Sequence, residues 1–206
     1  CIGSPMNEVI SANKDRIEAS KILSKLELSE GQYFVLSAHR EENVEDPNFL
    51  YNLLSASEKI SMDFGIRCVF SVHPRTQKKL LEYNEFTESK QISFLKPFGF
   101  TDYCKLQKSS IFVASDSGTL SEESSILGFS AINLRTTHER QEMNEFSPLI
   151  MTGRTYEGIL QGMEIAMKKP ALPLKVPDYQ RSNISDKIFN IILSYTQYVN
   201  YYILRK

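Results

Sequence analysis

The chain has 206 residues, of which 41% are apolar, and its formal net charge at pH 7 is −1. This length allows one large domain or two small ones, and the apolar fraction allows a sizeable buried core. A net charge near zero gives no electrostatic case for binding nucleic acid or an acidic membrane surface, so we expect neither as a partner.

The three cysteines, Cys1, Cys68 and Cys104, show neither a disulfide framework nor the spacing of metal ligands. Buried free thiols in a reducing compartment are the simpler interpretation, which predicts a cytoplasmic location. No apolar run approaches the ~20 residues of a membrane span, and we find no signal peptide. The chain starts at Cys1 without an initiator methionine, so we expect a piece of a longer protein, unless processing explains this start.

Hydrophobic patterning predicts helices and strands in alternation. In chain order these are two helices or one broken helix over 5–28, a strand over 33–38, a helix over 47–64, a strand over 67–72, a helix over 76–83, a strand over 91–95, a helix over 101–108 capped by Thr101, a strand over 111–114, a helix over 119–127, a strand over 131–134, a short strand over 149–151 and a helix over 156–168. Six strands alternating with helices predict an α/β fold with a doubly wound, mostly parallel sheet.

Beyond this sheet, prolines mark an extended connector over 169–181, and a last helix follows over 182–203, capped by Ser182 or Asn183. The apolar stripe of this helix is wider than a surface helix needs: Ile184, Ile188, Ile191, Ile192, Tyr195, Tyr198, Val199 and Tyr202. We expect this face to pack on something other than its own domain and to be exposed without it. The alternative is that the whole helix folds onto its own sheet.

The stretch 111–123 combines a short run of β-formers, a Ser-Asp-Ser-Gly turn and the start of a helix. Backbone N–H groups at a helix start, with the positive end of the helix dipole, favour an anion such as phosphate. Small side chains at Ser117 and Gly118 would let a ligand approach the backbone, and Glu123 lies about one helical turn further in. In the alternative interpretation, three polar residues only cap the helix, namely Asp116, Ser117 and Thr119.

The functional residues of such sheets gather at the carboxyl ends of the strands. This rule selects four clusters: 39–43, 73–75, the Ser117-Gly118 turn and 135–142. His39 and His73 directly follow predicted strands, and the third histidine, His138, belongs to the fourth cluster. Two histidines at one edge, beside a turn suited to phosphate, favour a site over purely structural histidines.

Four motifs closely resemble the non-hydrolysing UDP-N-acetylglucosamine 2-epimerase family: HREEN at 39–43, VHPRT at 72–76, SDSGTLSEESSILGF at 115–129 and NLRTTHERQE at 133–142. The resemblance covers nearly the whole chain, and the motifs occur in the family's order. The serine-rich third motif and the tyrosine-rich tail look most like one branch. That branch acts on UDP-2-acetamido-2,6-dideoxy-L-talose in the synthesis of capsule and O-antigen.

The resemblance implies two Rossmann-like domains in the GT-B arrangement, of which this chain matches only the second. The chain then divides into a UDP-binding domain, 1–168, and a connector with a helix that crosses to the absent N-terminal domain, 169–206. The family's reaction eliminates UDP across C1–C2 and re-adds it, inverting C2; no metal or redox cofactor is implied. We expect a UDP-sugar substrate, a homodimer in the full-length enzyme and no turnover by this chain alone.

The resemblance also implies roles for single residues. Ser117 and Gly118 would hold the diphosphate, and Glu123 would accept hydrogen bonds from the ribose hydroxyls. His39 would lie at the sugar–phosphate end, where an imidazolium stabilises the leaving UDP and a neutral imidazole moves a proton. The implied catalytic residues are His39 and Glu42, and the implied substrate-binding residues are Arg40, His73, Phe98, Ser117, Gly118, Thr119, Glu123, Arg135 and Arg140.

The chain departs from the family in one loop, where residues 139–142 read ERQE instead of the common ERPE, and 143–146 lack the usual glycine. The resemblance therefore does not carry over the geometry of this loop. Two other functions stay open: a GT-B glycosyltransferase domain, which also binds ribose through a carboxylate, and a non-catalytic nucleotide-binding remnant. Epimerised product without an acceptor would exclude the former, and activity with a supplied first domain would exclude the latter.

Overall fold

The computed structural model of the protein describes residues 2–83, 89–137, 140, 142–143, 149–168 and 175–206. Its strands are β1 (Tyr33–Ser37), β2 (Arg67–Ser71), β3 (Ile92–Leu95), β4 (Phe112–Ser115), β5 (Ser130–Asn133) and β6 (Ile150–Met151). Its α-helices are α1 (Met6–Ala12), α2 (Lys14–Glu18), α3 (Ile22–Lys25), α4 (Glu41–Val44), α5 (Pro47–Phe64), α6 (Pro74–Tyr83), α7 (Phe100–Ser109), α8 (Leu120–Leu127), α9 (Tyr156–Lys168) and α10 (Ile184–Tyr198). A 3₁₀ turn, Pro177–Tyr179, precedes α10, which continues into a π-helical segment, Val199–Ile203.

Within the described residues, six strands form one parallel sheet in the order β3-β2-β1-β4-β5-β6. The strand order reverses between β1 and β4, where Ser37 lies opposite Ser115. In sheets of this order, ligands bind at that switch point, outside the carboxyl ends of the strands. The predicted doubly wound parallel sheet is confirmed.

The sheet is buried on both faces. On one face, Phe34 and Phe112 stack with their ring centroids 4.7 Å apart, in the core formed with α5 and α9. On the other face, Val35 packs in a second core with Leu106 of α7 and Leu120 of α8. Because both faces of the sheet are covered, the strand sequences are continuous apolar runs. The loops at the carboxyl ends of the strands are therefore attached to a closely packed core.

Most predicted elements are found within one or two residues, and α5 and α9 have the predicted bounds. The segment before β1 forms three short helices, and the break between α1 and α2 falls at Asn13, which leaves helical geometry and donates its side-chain N–H to the Val9 carbonyl. The prediction that Thr101 caps α7 is wrong, since the helix begins one residue earlier, after Gly99. The sequence also did not predict α4, which is too short to show helical periodicity.

Asn183, one of the two residues predicted to cap the last helix, is found at the N-cap position of α10, but its side chain makes no capping hydrogen bond. The carboxylate of Glu8 in α1 instead accepts hydrogen bonds from the backbone N–H groups of Ile184 and Ser185. The start of α10 is therefore fastened to the body of the domain.

In the terminal helix, Ile184 is buried and Ile188 is half-buried, whereas the other large apolar side chains are 37–70% exposed: Phe189, Ile191, Ile192, Leu193, Tyr195, Tyr198, Val199, Tyr201, Tyr202 and Ile203. This confirms the expected exposure, and the alternative of a helix folded onto its own sheet is wrong. Across the described chain, no helix combines the length and apolarity needed to span a bilayer. Cys68 and Cys104 are buried free thiols, as expected, and Cys1 lies outside the described residues.

Candidate functional site

A cleft of about 280 Å³ opens at the carboxyl edge of the sheet, over the switch point. Its lining comes from β1, β2, β4, the loop after β3, and helices α7 and α8: Ser37, His39, Ser71, His73, Pro97, Phe98, Tyr103, Gln107, Ser115, Ser117, Leu120 and Glu123. The structure thus brings together five of the predicted site residues: His39, His73, Phe98, Ser117 and Glu123. Their meeting follows from the parallel sheet, whose strand ends share one edge.

Asp116 lies at the base of this edge and is completely buried. Its carboxylate accepts hydrogen bonds from the backbone N–H groups of His39 and Arg40 and from the side-chain amide of Asn43, at 3.0–3.1 Å. Burial alone would raise the pKa of this carboxyl group, but the bonds from His39, Arg40 and Asn43 together lower it. Asp116 therefore joins the end of β1 to the end of β4 instead of capping α8.

His39 places its ring between this carboxylate and the cleft. Nδ1 lies 3.1 Å from Oδ1 of Asp116, and the side chain remains 44% exposed. The hydrogen bond to Asp116 raises the pKa of His39, against the opposing effects of burial and of the Arg40 charge. The site therefore favours an imidazolium at the mouth of the cleft. On the neighbouring strand end, Nδ1 of His73 accepts a hydrogen bond from the backbone N–H of Arg75 at 3.3 Å.

Charged side chains lie beside the cleft. Arg40 donates from Nε to the backbone carbonyl of Asp116 at 3.0 Å, and its Nη2 would lie 3.7 Å from a Cβ built on Gly118. The guanidinium therefore covers the turn and leaves room for a methyl group there. A hydrogen bond from its own backbone N–H lowers the pKa of Glu42, and the charges of Arg40 and Arg135 contribute. Glu42 and Arg135 are thus neighbours at this edge, although neither lines the cleft.

Glu123 is held in place by two neighbours. Its Oε1 accepts a hydrogen bond from Oγ1 of Thr119 at 2.7 Å, and its Oε2 accepts one from Nε2 of Gln107 at 2.6 Å. The Thr119 hydroxyl also lies 3.0 Å from the Ser117 hydroxyl. Thr119 itself forms no side-chain cap on α8, so the positive end of the helix borders the cleft beside a fixed carboxylate.

Sequence reasoning missed two residues of α7, Tyr103 and Gln107, which line the cleft opposite α8. Burial raises the pKa of the Tyr103 hydroxyl, and the Glu123 charge adds to this shift. Tyr103 and Gln107 are spaced i, i+4, so both side chains lie on one face of α7. This spacing is the sequence feature that could have identified them.

Arg140 lies apart from the cleft lining. Its Nη2 is 2.7 Å from Oε1 of Glu122, whose other oxygen accepts a hydrogen bond from the Ser4 hydroxyl at 2.7 Å. The roles proposed for Arg140 and Arg135 toward a diphosphate remain predictions. His138, the other histidine singled out in the sequence, lies outside the described residues. Among the residues that are described, no three His, Cys, Asp or Glu side chains are grouped to hold a metal.

A parallel sheet of this order, with a cleft at its switch point and a helix N-terminus beside it, defines a Rossmann-like ligand-binding domain. The family model for UDP-N-acetylglucosamine 2-epimerase matches residues 1–193. The chain belongs to the UDP-N-acetylglucosamine 2-epimerase family.

Individual relatives agree with this assignment. The chain is 33% identical over 151 residues to the UDP-N-acetylglucosamine 2-epimerase of Methanococcus maripaludis. This alignment covers 72% of this chain and 41% of that protein. The Rickettsia bellii epimerase structure superposes with a TM-score of 0.83 and 36% identity, over 99% of this chain and 55% of that one. The Methanocaldococcus jannaschii epimerase, solved with UDP-GlcNAc and UDP, superposes with a TM-score of 0.82 and 26% identity, over 94% of this chain and 54% of that one.

The chain therefore spans about half the length of the solved relatives that it matches. These neighbours, with the parallel sheet, confirm the predicted fold class of one Rossmann-like half of a GT-B fold.

Proposed function

We propose that this chain is the UDP-binding half of a nucleotide-sugar 2-epimerase, which inverts C2 of a UDP-2-acetamido sugar. The observation that carries the proposal is the cleft in which His39, His73 and Ser117, from three strand-end motifs, come together beside Glu123. The M. jannaschii relative was solved with UDP-GlcNAc and UDP, which supports a UDP-sugar as the ligand of this cleft.

In the proposed complex, the diphosphate lies at the Ser117-Gly118 turn, where the N-terminus of α8 supplies backbone N–H groups and a favourable dipole. The carboxylate of Glu123 accepts hydrogen bonds from the ribose hydroxyls. Thr119 and Gln107 already hold this carboxylate in position. The ring of Phe98 lines the same cleft and offers an apolar surface to the base.

The proposed reaction has two steps that balance within the substrate. In the elimination, the C1–O bond breaks and UDP leaves with its electron pair, while a protein base takes the proton from C2, which leaves a C1=C2 double bond. Re-addition restores the C1–O bond and delivers a proton to the opposite face of C2. The His39 imidazolium offsets the negative charge that develops on the leaving diphosphate, and Glu42 beside it is the second proposed catalytic residue.

The partner proposed for the exposed terminal helix is the N-terminal domain of the same enzyme. The chain spans about half the length of its solved relatives, so a second half of comparable size exists in those proteins. An aromatic face 37–70% exposed needs such a partner to be buried. A homodimer, a cytoplasmic location, and action on UDP-2-acetamido-2,6-dideoxy-L-talose for capsule or O-antigen belong to the same proposal.

Calorimetric titration with UDP tests the site. Replacing Glu123 by Ala should weaken UDP binding by about 1.5–3 kcal/mol, the range for a hydrogen bond to a charged group. The matched control is Glu157→Ala, which also removes a first-turn carboxylate, but from the exposed start of α9. A dissociation constant that Glu123→Ala leaves unchanged would refute the ribose role.

A further inference from the structure

We propose that Asp116 is a positioning residue for His39: it keeps Nδ1 protonated and turned into the protein, so that Nε2 faces the cleft. This inference rests on the proposed function, because it concerns the same site. Nδ1 of His39 is 3.1 Å from Oδ1 of Asp116, so Nε2 is the ring nitrogen that this carboxylate does not engage. His39 itself lines the cleft.

Asp116 fixes the backbone of His39 as well as its ring. Both carboxylate oxygens lie 3.1 Å from the backbone nitrogen of His39, and Oδ2 lies 3.0 Å from that of Arg40. A ring anchored through its own backbone and through Nδ1 has little freedom to rotate about its side-chain bonds. Pre-organisation of this kind is what a group that moves a proton requires.

The carboxylate is itself held from several sides. The amide of Asn43 donates to Oδ2 at 3.1 Å and to the carbonyl of Leu134 at 3.3 Å, which links α4 to the end of β5. The backbone N–H of Asp116 donates to the Ser37 carbonyl at 3.4 Å. Because the carboxylate is fully buried and already bonded to His39, Arg40 and Asn43, it acts through His39 and not by touching a ligand.

The chemistry of the Asp116–His39 pair determines which ring nitrogen of His39 exchanges a proton. An ionised carboxylate only accepts hydrogen bonds, so Nδ1 must carry a proton in both charge states of the ring. Nε2 is then the atom that gains and loses the titrating proton. One nitrogen facing the cleft can therefore donate a proton to a leaving group and later take it back.

Other charges at this edge act on His39 in both directions. The charge of Arg40 opposes protonation of the ring, whereas Asp116 favours it. Other titratable and charged side chains of this edge come from α4, the loop after β2, α6, α7 and α8: Glu41, Glu42, His73, Arg75, Tyr103 and Glu123. Arg75 and Glu41 form an ion pair with 3.0 Å between Nη1 and Oε2, so they partly cancel.

Nitrogen-15 NMR of the imidazole rings in the full chain tests the proposal, with His39 assigned from the signals lost in His39→Asn. Above its titration midpoint, wild-type His39 should be the tautomer protonated at Nδ1, with a midpoint above the ordinary ~6.5. Asp116→Asn should lower that midpoint by about one pH unit or more and mix the tautomers. The control Asp63→Asn, in an exposed ion pair of α5, should change neither.

The wild-type tautomer needs no variant, so the test survives if Asp116→Asn fails to fold. A wild-type ring protonated at Nε2, or a folded Asp116→Asn chain with an unchanged midpoint, would overturn the assignment. A UDP titration of the same wild-type sample separates the two proposals. Lost UDP binding with the Nδ1 tautomer intact would overturn the proposed function alone.

Discussion

The carboxyl edge of the sheet buries a charge, whereas the terminal helix exposes apolar surface. Asp116 is fully buried, yet its carboxylate is bonded to three residues of α4 and the loop before it. Tyr201 and Tyr202 at the other end of the chain are 70% and 65% exposed. The buried carboxylate of Asp116 therefore finds its hydrogen-bond donors within this domain. The helix carries an apolar surface that this domain leaves uncovered and that the proposed N-terminal domain would cover.

The largest expected effect is on turnover. Alone, the chain should not epimerise a UDP-2-acetamido sugar, because the family resemblance implies that the first domain carries further acidic and basic catalytic residues. Supplying that domain separately should restore turnover, and replacing Tyr198 and Tyr202 by Ser should weaken the restoration. Chromatography of the two epimers after incubation measures this. Epimerisation at family-like rates by the chain alone would contradict the division of labour between the halves.

The next effect is on association. The full chain should self-associate through its exposed aromatic face. A chain ending at Lys187 should be monomeric, because it keeps Ile184 and Ser185 on Glu8 and loses the exposed part of the helix together with the half-buried Ile188. An end at Lys168 would also remove the buried Tyr179 and so test more than the helix. Light scattering measures the molar mass of the full chain and of the chain ending at Lys187. If both are monomers, the exposed aromatic face has no missing partner.

A smaller effect is expected on stability. Asp116→Asn should lower the free energy of unfolding by about 1–3 kcal/mol, because buried donors lose their carboxylate. The matched variant Asp63→Asn should leave it nearly unchanged, since Asp63 is exposed. Urea unfolding of both variants measures the difference, and equal losses would contradict a special role for the buried carboxylate.

The hydrogen-bonded pair of Asp116 and His39 predicts a pH dependence of stability. The lowered pKa of Asp116 gives stability above the ordinary carboxyl value of ~3.9, lost as pH falls through the folded pKa. The raised pKa of His39 gives stability below ~6.5, lost as pH rises through the folded pKa. The contribution should therefore be greatest between about pH 4 and 6.5, and it should be absent from Asp116→Asn. A wild-type profile parallel to that of the variant would count against the pair.

The smallest expected effect comes from one methyl group. A Cβ at Gly118 meets only Nη2 of Arg40, at 3.7 Å, and the glycine does not have a left-handed φ. Gly118→Ala should therefore leave the unfolding midpoint unchanged. It should weaken UDP binding by about tenfold, or ~1.4 kcal/mol, because the methyl group occupies the approach to the turn. Unaltered affinity would mean that the diphosphate lies elsewhere.

The fold class and part of the cleft could be read from the sequence. Strands buried on both faces appear as apolar runs, and helices between them imply parallel neighbours with their carboxyl ends at one edge. That reasoning places His39, His73 and Ser117 together, and the structure agrees. The roles assigned to these residues stay predictions, because they concern a ligand.

Only the tertiary structure decided which partner each polar group takes. An aspartate before Ser-Gly reads locally as a helix cap, but Asp116 bonds His39, 77 positions away, because β4 lies beside β1. Glu8 likewise caps a helix 176 positions further on, and Gln107 holds Glu123. Periodicity reports which face of an element is buried, whereas a hydrogen bond depends on ångström-scale positions that packing alone sets.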